Sequence, residues 1–368
     1  MMTIRSLDVQ GYRSIRNVHL RLARANVLVG ENGCGKSNLY RSLYLLAMAA
    51  EGRFARTLAN EGGMASALWA GECIKGDPKR ITIAAHFDEW SYRFACGLPM
   101  PSHTAFQLDP LIRREELLFR DAARMTTVVK RENAAASLRD ESGRLVKFPG
   151  ELSDSESILS ELREPHRYPE LSAMRSVLLS WRFYHLFRTD ADSPLRRPQV
   201  GVRTPILGHD GTDLAAALQT IFEIGESDAL QAAIAEAFPG GRLVIHTSSG
   251  GMEVALAMPE FRRPLRGTEL SDGTLKYLCL AAALFSPRPP SLLAINEPDA
   301  NLHPQLYPAL ARMIARAGEH SQLWITTHSE ALAGLLARDA GAQVIHLEKD
   351  EGATVVARMH PDEEADEE

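Results

Sequence analysis

The run Gly30-Glu31-Asn32-Gly33-Cys34-Gly35-Lys36-Ser37 fits the pattern GxxxxGK[ST] and constrains the chain more than any other feature. The apolar segment 26–30 (NVLVG) precedes it. A segment from about Lys36 to Ala50 follows, with Leu39, Leu43 and Leu46 at the three- and four-residue spacing of one helix face. A strand, a glycine loop and a helix start in that order aim successive backbone N–H groups into one concavity, where side chains would obstruct an anion. Lys36 supplies a point charge for phosphates and Ser37 a hydroxyl for Mg²⁺. Gly30, Asn32, Gly33, Gly35, Lys36, Ser37 and Asn38 are therefore the candidate phosphate-binding residues of this loop.

The surrounding pattern is α/β. Residues 4–9 and 18–22 read as strands, separated from each other and from the next strand by turn-like GYRS and ARA. Between 81 and 148, ITIAAHF, WSYRFAC, EELLF and TTVVK alternate with turns, as in an antiparallel meander. Residues 151–185 are helical in pattern, broken by EPHRYP, and 188–208 form a proline-rich ordered loop. A helix capped by Asp210 or Thr212 runs to Ile224, a second spans 228–238, and a hairpin pairs 242–247 with 252–257. The last third alternates helix 271–285, strand 291–295, helix 304–317, strand 322–326 and helix 329–337, the pattern of a parallel sheet covered on both faces. A closing hairpin joins 343–347 to 353–357.

Composition narrows the function classes. Hydrophobic residues make up 45% of the 368, enough for a sizeable core. The net charge of −6 argues against a protein that coats nucleic acid non-specifically. Six of the acids fall in the seven residues Asp362 to Glu368, so the remainder is neutral and can carry local basic patches. Four scattered cysteines without zinc-like spacing fit a reducing compartment. The start lacks the apolar core of a signal peptide, and the longest apolar run, Leu278 to Phe285, is eight residues, against roughly 18 for a membrane span. The expectation is a cytoplasmic protein with no membrane association.

Three further groups carry chemistry. Strand 291–295 ends in Asn296-Glu297-Pro298, at the carboxyl edge where open α/β sheets bind ligands. A carboxylate there can polarise a water. His328, in ITTHS, ends the next strand of the same sheet and can reach a phosphate there; taken alone it is an ordinary turn histidine. Ser271, in LSDGT, is a sound N-cap, and the helix N-terminus it opens can also receive an anion.

Phosphate loop, LSDGT before a helix, a strand ending in glutamate and a histidine after the next strand is an order that resembles ABC-type ATPases. More closely, LDVQGYRSIRNVHLRLARANVLVGENGCGKSNL, INEPDANLHPQL and ITTHSE resemble the RecF/SMC-like branch of small ATPases of the AAA/OLD-like group. The resemblance covers both ends of the chain, while roughly 100–240 resembles the branch only in arrangement. It implies ATP and Mg²⁺ as ligands, with Gly30, Gly35, Lys36 and Ser37 as Walker A residues. It implies Ser271 and Gly273 as the signature that contacts ATP on a second protomer, Glu297 as catalytic glutamate and His328 as switch histidine. Ala300, Asn301 and Leu302 match the D-loop, and Asn296 stands at the metal-side position usually held by Asp. Gln107 is the nearest candidate for the Q-loop glutamine.

Two departures bear on activity. Asn296 keeps an acceptor oxygen but lacks the charge that holds a Mg²⁺ water shell. Asp272 replaces the commoner glycine and brings negative charge near phosphate, which Lys276, one turn on, is placed to offset.

Lys36 and Ser271 are 235 residues apart, more than a transporter ATPase keeps there, and no coiled-coil heptads fill the stretch. Only 40 residues follow His328, too few for a nuclease domain of the OLD kind, so a nuclease partner would be a separate chain. Residues 111–147 and 181–203 each carry net charge +3, the second interleaved with Trp181, Phe183, Tyr184 and Phe187. Such a stretch is either a nucleic-acid platform or core aromatics with arginines bonded to carbonyls and carboxylates.

The expected architecture is an ABC-type head. An N-terminal lobe with a mixed sheet and the phosphate loop spans 1–100, and a helical and β insertion spans 101–240. A C-terminal lobe with a parallel sheet spans 241–368. Its expected behaviour is ATP-driven homodimerisation with hydrolysis, coupled to DNA or an effector. The alternatives are a slow ATP-gated scaffold and a transporter ATPase subunit.

Overall fold

The computed structural model describes residues 2–72, 79–99, 105–121, 124–140 and 142–357. Cys73 and the acidic run 362–368 lie outside these residues. Two compact units divide the chain. One comprises Met1–Leu22, Leu28–Ser180 and Ile345–Glu368, the other Ala23–Val27 and Trp181–Val344.

In the first unit, β1 (Ile4–Tyr12) and β2 (Ile15–Arg21) form a hairpin. β3 (Ala25–Val29), whose residues are divided between the units, is buried along its whole length. It leads through the glycine loop into α1 (Lys36–Glu51), followed by α2 (Phe54–Asn60) and α3 (Gly63–Ala67). The meander then runs as β4 (Arg80–Phe87), β5 (Trp90–Gly97), β6 (Leu111–Asp121), β7 (Arg124–Glu132), β8 (Ala135–Arg139) and β9 (Leu145–Lys147). β4 pairs with β1, so the meander extends the N-terminal hairpin into one antiparallel sheet, ordered β2-β1-β4-β5-β6-β7-β8-β9. Helices α4 (Ile158–Glu161) and α5 (Pro169–Ser180) follow, α5 starting on the last proline of EPHRYP.

A fully buried ion pair pins this sheet. Arg131 Nη1 lies 2.9 Å from Glu115 Oε2, with both side chains at 0% exposure. Their remaining capacity is used. Glu115 accepts from Tyr92 Oη, Ser157 Oγ and Ile158 N, and Arg131 donates to the carbonyls of Ser153, Glu156 and Asn133. Two of the charges in the basic stretch 111–147 therefore belong to the core, because a buried ion survives only when paired and fully bonded.

The second unit opens with β10 (Arg182–Tyr184), where the sequence pattern suggested helix to 185. β10 lies parallel to a later strand, and that pairing outweighs a local helical preference. Trp181, Phe183, Tyr184 and Phe187 are buried, so they cannot stack on bases. The arginines of the stretch are engaged too: Arg182 with Trp181 O, Arg188 with Asp190, Arg197 with Asp192 and Arg203 with Glu223, while Arg196 is treated with the site. Of the two readings of 181–203, the core reading holds.

α6 (Leu214–Ile224) begins after Asp213 rather than at Asp210 or Thr212. The Asp210 carboxylate is instead closed on Thr212 in a local turn, a bond that competes with capping. α7 (Ser227–Ala237) precedes a small antiparallel sheet of β11 (Arg242–Ser248), β12 (Gly251–Ala257) and β13 (Leu265–Arg266). Then come α8 (Asp272–Leu284), β14 (Leu292–Asn296), a 3-10 turn at Pro304–Leu306, α9 (Tyr307–Gly318), β15 (Gln322–Thr327) and α10 (Glu330–Ala340). β10, β14 and β15 are neighbours and parallel, and their apolar residues are buried. The chain closes with β16 (Gln343–Asp350) antiparallel to β17 (Ala353–Val356). Among the described residues no helix is long and apolar enough to cross a membrane.

Candidate functional site

In the first unit, the loop after β3 turns sharply through glycines with positive φ. Gly30 has φ 156° and Gly35, the residue before α1, has φ 110°. Both are also pressed against backbone or side chains of the closing hairpin. A Cβ on Gly30 would lie 2.3 Å from Leu347 O, and one on Gly35 would lie 1.9 Å from Thr354 Oγ1. No residue with a side chain fits either place.

Lys36 is 3% exposed and sits inside the loop, its ammonium donating to Gly30 O at 2.5 Å and Glu31 O at 3.0 Å. Asn32 and Gly33 form the exposed rim, and Ser37 is half-buried at the first turn. Asn38 donates to Ser14 Oγ at 2.8 Å, and Ser14 Oγ meets Thr354 Oγ1 at 2.8 Å, a chain that braces the start of α1 against β17. The first turn of α1, Lys36 to Leu39, has a lysine and no acid in its sequence. A helix N-terminus, a buried cation and glycine walls fit the phosphates of a nucleotide.

The second unit brings together the other candidates. Asn296 ends β14, and its Oδ1 accepts from Thr326 Oγ1 at 2.8 Å. Glu297 N donates to Thr326 O at 2.9 Å, yet Glu297 itself has φ 48°, the left-handed region, at a cost of about 1–2 kcal/mol for a residue with a Cβ. That turn swings its carboxylate to His328, whose Nε2 lies 2.6 Å from Glu297 Oε1. Both side chains remain about one-third exposed, open to water. Asp299, buried, accepts from Thr327 Oγ1 at 2.7 Å and so ties the loop to the end of β15.

Ser271 caps α8 as expected, its Oγ accepting from Thr274 N at 3.1 Å. Gly273 packs so closely on the following loop that a Cβ would lie 2.9 Å from Asn301 O. The cation offsetting Asp272 is not Lys276. Arg196 Nη2 lies 2.6 Å from Asp272 Oδ1. Arg196 also donates to the carbonyls of Gly267, Leu270, Thr189 and Asp190, and its side chain is 11% exposed. Lys276 turns the other way, donating to Glu297 O at 2.8 Å and Ala300 O at 2.6 Å. Burial pushes its ammonium down to about 8, against the pull of Asp299 and Glu297. Gln107 lies in an exposed turn of the first unit.

The phosphate-loop residues thus belong to the first unit, and Ser271, Gly273, Asn296, Glu297 and His328 to the second. Sequence reasoning missed Arg196, which is 76 residues from its partner, and Thr326 and Thr327. The paired threonines of ITTHS were a readable signal; nothing in the sequence announced Arg196.

The family described as "AAA domain, putative AbiEii toxin, Type IV TA system" matches residues 25–334. The chain belongs to this AAA family. The chain is similar in fold to SMC heads. An SMC head bound to the C-terminal winged-helix domain of ScpA superposes with a TM-score of 0.54 at 15% identity, over 98% of this chain and 99% of that one. An SMC head with an extended coiled coil, bound to the C-terminal domain of ScpA and derived from Pyrococcus furiosus, gives 0.54 at 14%, over 97% and 96%. One from Pyrococcus yayanosii, with a coiled coil and joint, gives 0.50 at 12%, over 98% of each chain. At such identities the likeness is one of fold, and it is that of an ABC-type P-loop ATPase head. Among curated proteins none matches the chain.

Residues suited to the nucleotide are therefore present in a chain of the matching family. Among the described residues no group of three or more His, Cys, Asp or Glu side chains is arranged to hold a metal ion. Ser37 in the first unit and Asn296 in the second each carry a single neutral side-chain oxygen. A Mg²⁺ bound with a nucleotide would rely mainly on phosphate and water oxygens, as it usually does at nucleotide sites.

Proposed function

We propose that this protein is an ATPase that binds Mg-ATP in the loop Gly30–Ser37 and hydrolyses it with Glu297 as general base. The observation that carries the reading is the 2.6 Å contact between Glu297 Oε1 and His328 Nε2 at the edge of a parallel sheet. A carboxylate in contact with an imidazole and open to water is equipped to take a proton from an attacking water, while the imidazole orients it. Lys36 and the N–H groups opening α1 hold the phosphates, and bound Mg²⁺ would neutralise part of their charge.

In this reading two protomers associate head to head on ATP, with Ser271 and Gly273 of each meeting the nucleotide of the other. Support comes from the exposed N-terminus of α8, capped by Ser271 and neutralised at Asp272 by Arg196. The SMC heads with the same fold are seen bound to ScpA, so dimerisation coupled to a partner protein is the natural extension. The partner class is DNA or a separately encoded effector such as a nuclease, acting in the cytoplasm in genome maintenance or phage defence.

A second reading, an ATP-gated scaffold with slow turnover, is favoured by one observation. Asn296 offers a carboxamide, bonded to Thr326, where the resemblance implies a carboxylate holding the metal's water shell.

ATPase rates and sedimentation of wild type and Glu297→Gln, with and without duplex DNA, test both. Glutamine keeps the shape but takes no proton, so hydrolysis should fall by about 10² or more while ATP binding survives. The variant should accumulate as an ATP-dependent dimer, and Ser271→Arg in the same background should dissolve it. Wild type that neither binds nor hydrolyses ATP would sink the proposal. Turnover well above roughly 0.1 s⁻¹, against an enzyme median near 10 s⁻¹, would remove the scaffold reading.

A further inference from the structure

Glu297 adopts a left-handed backbone conformation that its own side chain disfavours, so something outside the turn must hold it. The end of β15 holds it through Thr326, Thr327 and His328, and two further contacts come from α8. The Lys276 ammonium donates to Glu297 O and Ala300 O, closing the turn like a clasp from one side. Gly273, one turn nearer the N-terminus, lies against the carbonyl of Asn301 with no room for a Cβ. The turn's own bonds are short-range: Ala300 N to Glu297 O at 3.2 Å and Leu302 N to Asp299 O at 3.0 Å.

The amine is a costly choice for a mere brace. It is largely withdrawn from water, and its direct hydrogen bonds go to carbonyl oxygens, while the carboxylates of Asp299 and Glu297 act on it at longer range. The buried thiol of Cys279 lies on the same helix, one turn away. A charge kept under such conditions ties groups whose relative position matters.

We propose that Lys276 is a positioning residue: it fixes the Glu297 turn and couples it to the N-terminus of α8, so that a ligand received at Ser271 and Gly273 sets the aim of the Glu297 carboxylate. The link is mechanical and short. Displacing the first turns of α8 draws on the carbonyls of 297, 300 and 301 together, and Glu297 hangs from the first of them. The catalytic half of this inference rests on the proposed ATPase function; the tie between α8 and the turn does not.

The test uses the full chain with Lys276→Met, which keeps the stem and removes the three donors, and Lys276→Arg, which restores them. Hydrogen–deuterium exchange of 297–302, read without nucleotide, should rise about tenfold or more at Ala300 and Leu302 in the Met variant and return toward wild type in the Arg variant. The kcat for ATP should fall about 10- to 100-fold in the Met variant with KM within about twofold, and Arg should recover most of it. Unchanged exchange overturns the tie. Raised exchange with unchanged kcat, in a wild type that hydrolyses ATP, overturns the positioning role. A wild type without hydrolysis defeats the ATPase reading, and the exchange result then decides the tie alone. If the Met variant fails to fold, Gly273→Ala must disturb the same amides through Asn301, and unaltered exchange there overturns the inference.

Discussion

Arg196 and Asp272 form an ion pair at the N-terminus of α8, which in the proposed function makes that end acceptable to an anion. Asp272 by itself suits the helix dipole but repels phosphate. The Arg196 guanidinium, 2.6 Å away, cancels that charge while its other donors bind the carbonyls leading into the helix. The Coulombic part is weak, since Asp272 is 58% exposed. The bonds to carbonyls from a nearly buried guanidinium are the larger share.

Arg196→Ala should accordingly lower stability by about 1–3 kcal/mol, chiefly through orphaned carbonyls at Gly267 and Leu270. It should also weaken ATP-dependent dimerisation. Adding Asp272→Asn should restore association without restoring stability, because it removes the repulsion but supplies no donor. Denaturant melts and sedimentation separate the two effects. If Asp272→Asn recovers neither, charge at α8 is irrelevant to association.

Gly35→Ala should be among the most damaging single changes in the first unit. The new methyl would meet Thr354 Oγ1 at 1.9 Å on a backbone with φ 110°. The backbone strain alone is worth about 1–3 kcal/mol, and the hairpin must also move. A loss of at least about 2 kcal/mol in chemical denaturation is expected, together with lost nucleotide binding. Thr354→Ala in the same background should return part of the stability by removing the obstructing hydroxyl.

Asn296→Asp should be accepted by the fold, since the Thr326 hydroxyl can donate to a carboxylate as readily as to the amide oxygen. The added charge should increase the dependence of turnover on Mg²⁺ concentration. Kinetics across a Mg²⁺ titration provide the check, and a drop in turnover at saturating Mg²⁺ would mean that Asn296 serves the strand end rather than the metal.

Lys276 gives the protein a signature in alkaline solution. In the folded state the ammonium titrates at about 8, and in the unfolded chain near its ordinary value of about 10.4. Between these values the unfolded chain binds a proton that the folded one has lost, so stability should rise with pH, by up to about 1.4 kcal/mol per unit. The gain is complete above the unfolded value and vanishes as pH falls through 8. Comparing wild type with Lys276→Met from pH 7 to 10 isolates it. A stability difference flat over that range would place Lys276 in water rather than against the Glu297 turn.

Local chemistry settled a large part of this protein. The glycine pattern, the apolar strand before it and the leucine spacing after it dictate the phosphate loop and α1 without help from the rest of the chain. Period-two alternation marks the meander, and Ser271 declares its cap, because these signals act within a few residues. Tertiary structure decided what local signals cannot. The segment at Arg182–Tyr184 became a strand because a parallel neighbour was available to pair with it. Arg196, not Lys276, answers Asp272, because a loop 76 residues earlier in the sequence delivers it. Lys276 answers the Glu297 turn, and Glu297 meets His328, because the loops after β14 and β15 emerge side by side. Such partnerships depend on where side chains end up once the core has closed, and a one-dimensional pattern carries no record of that distance.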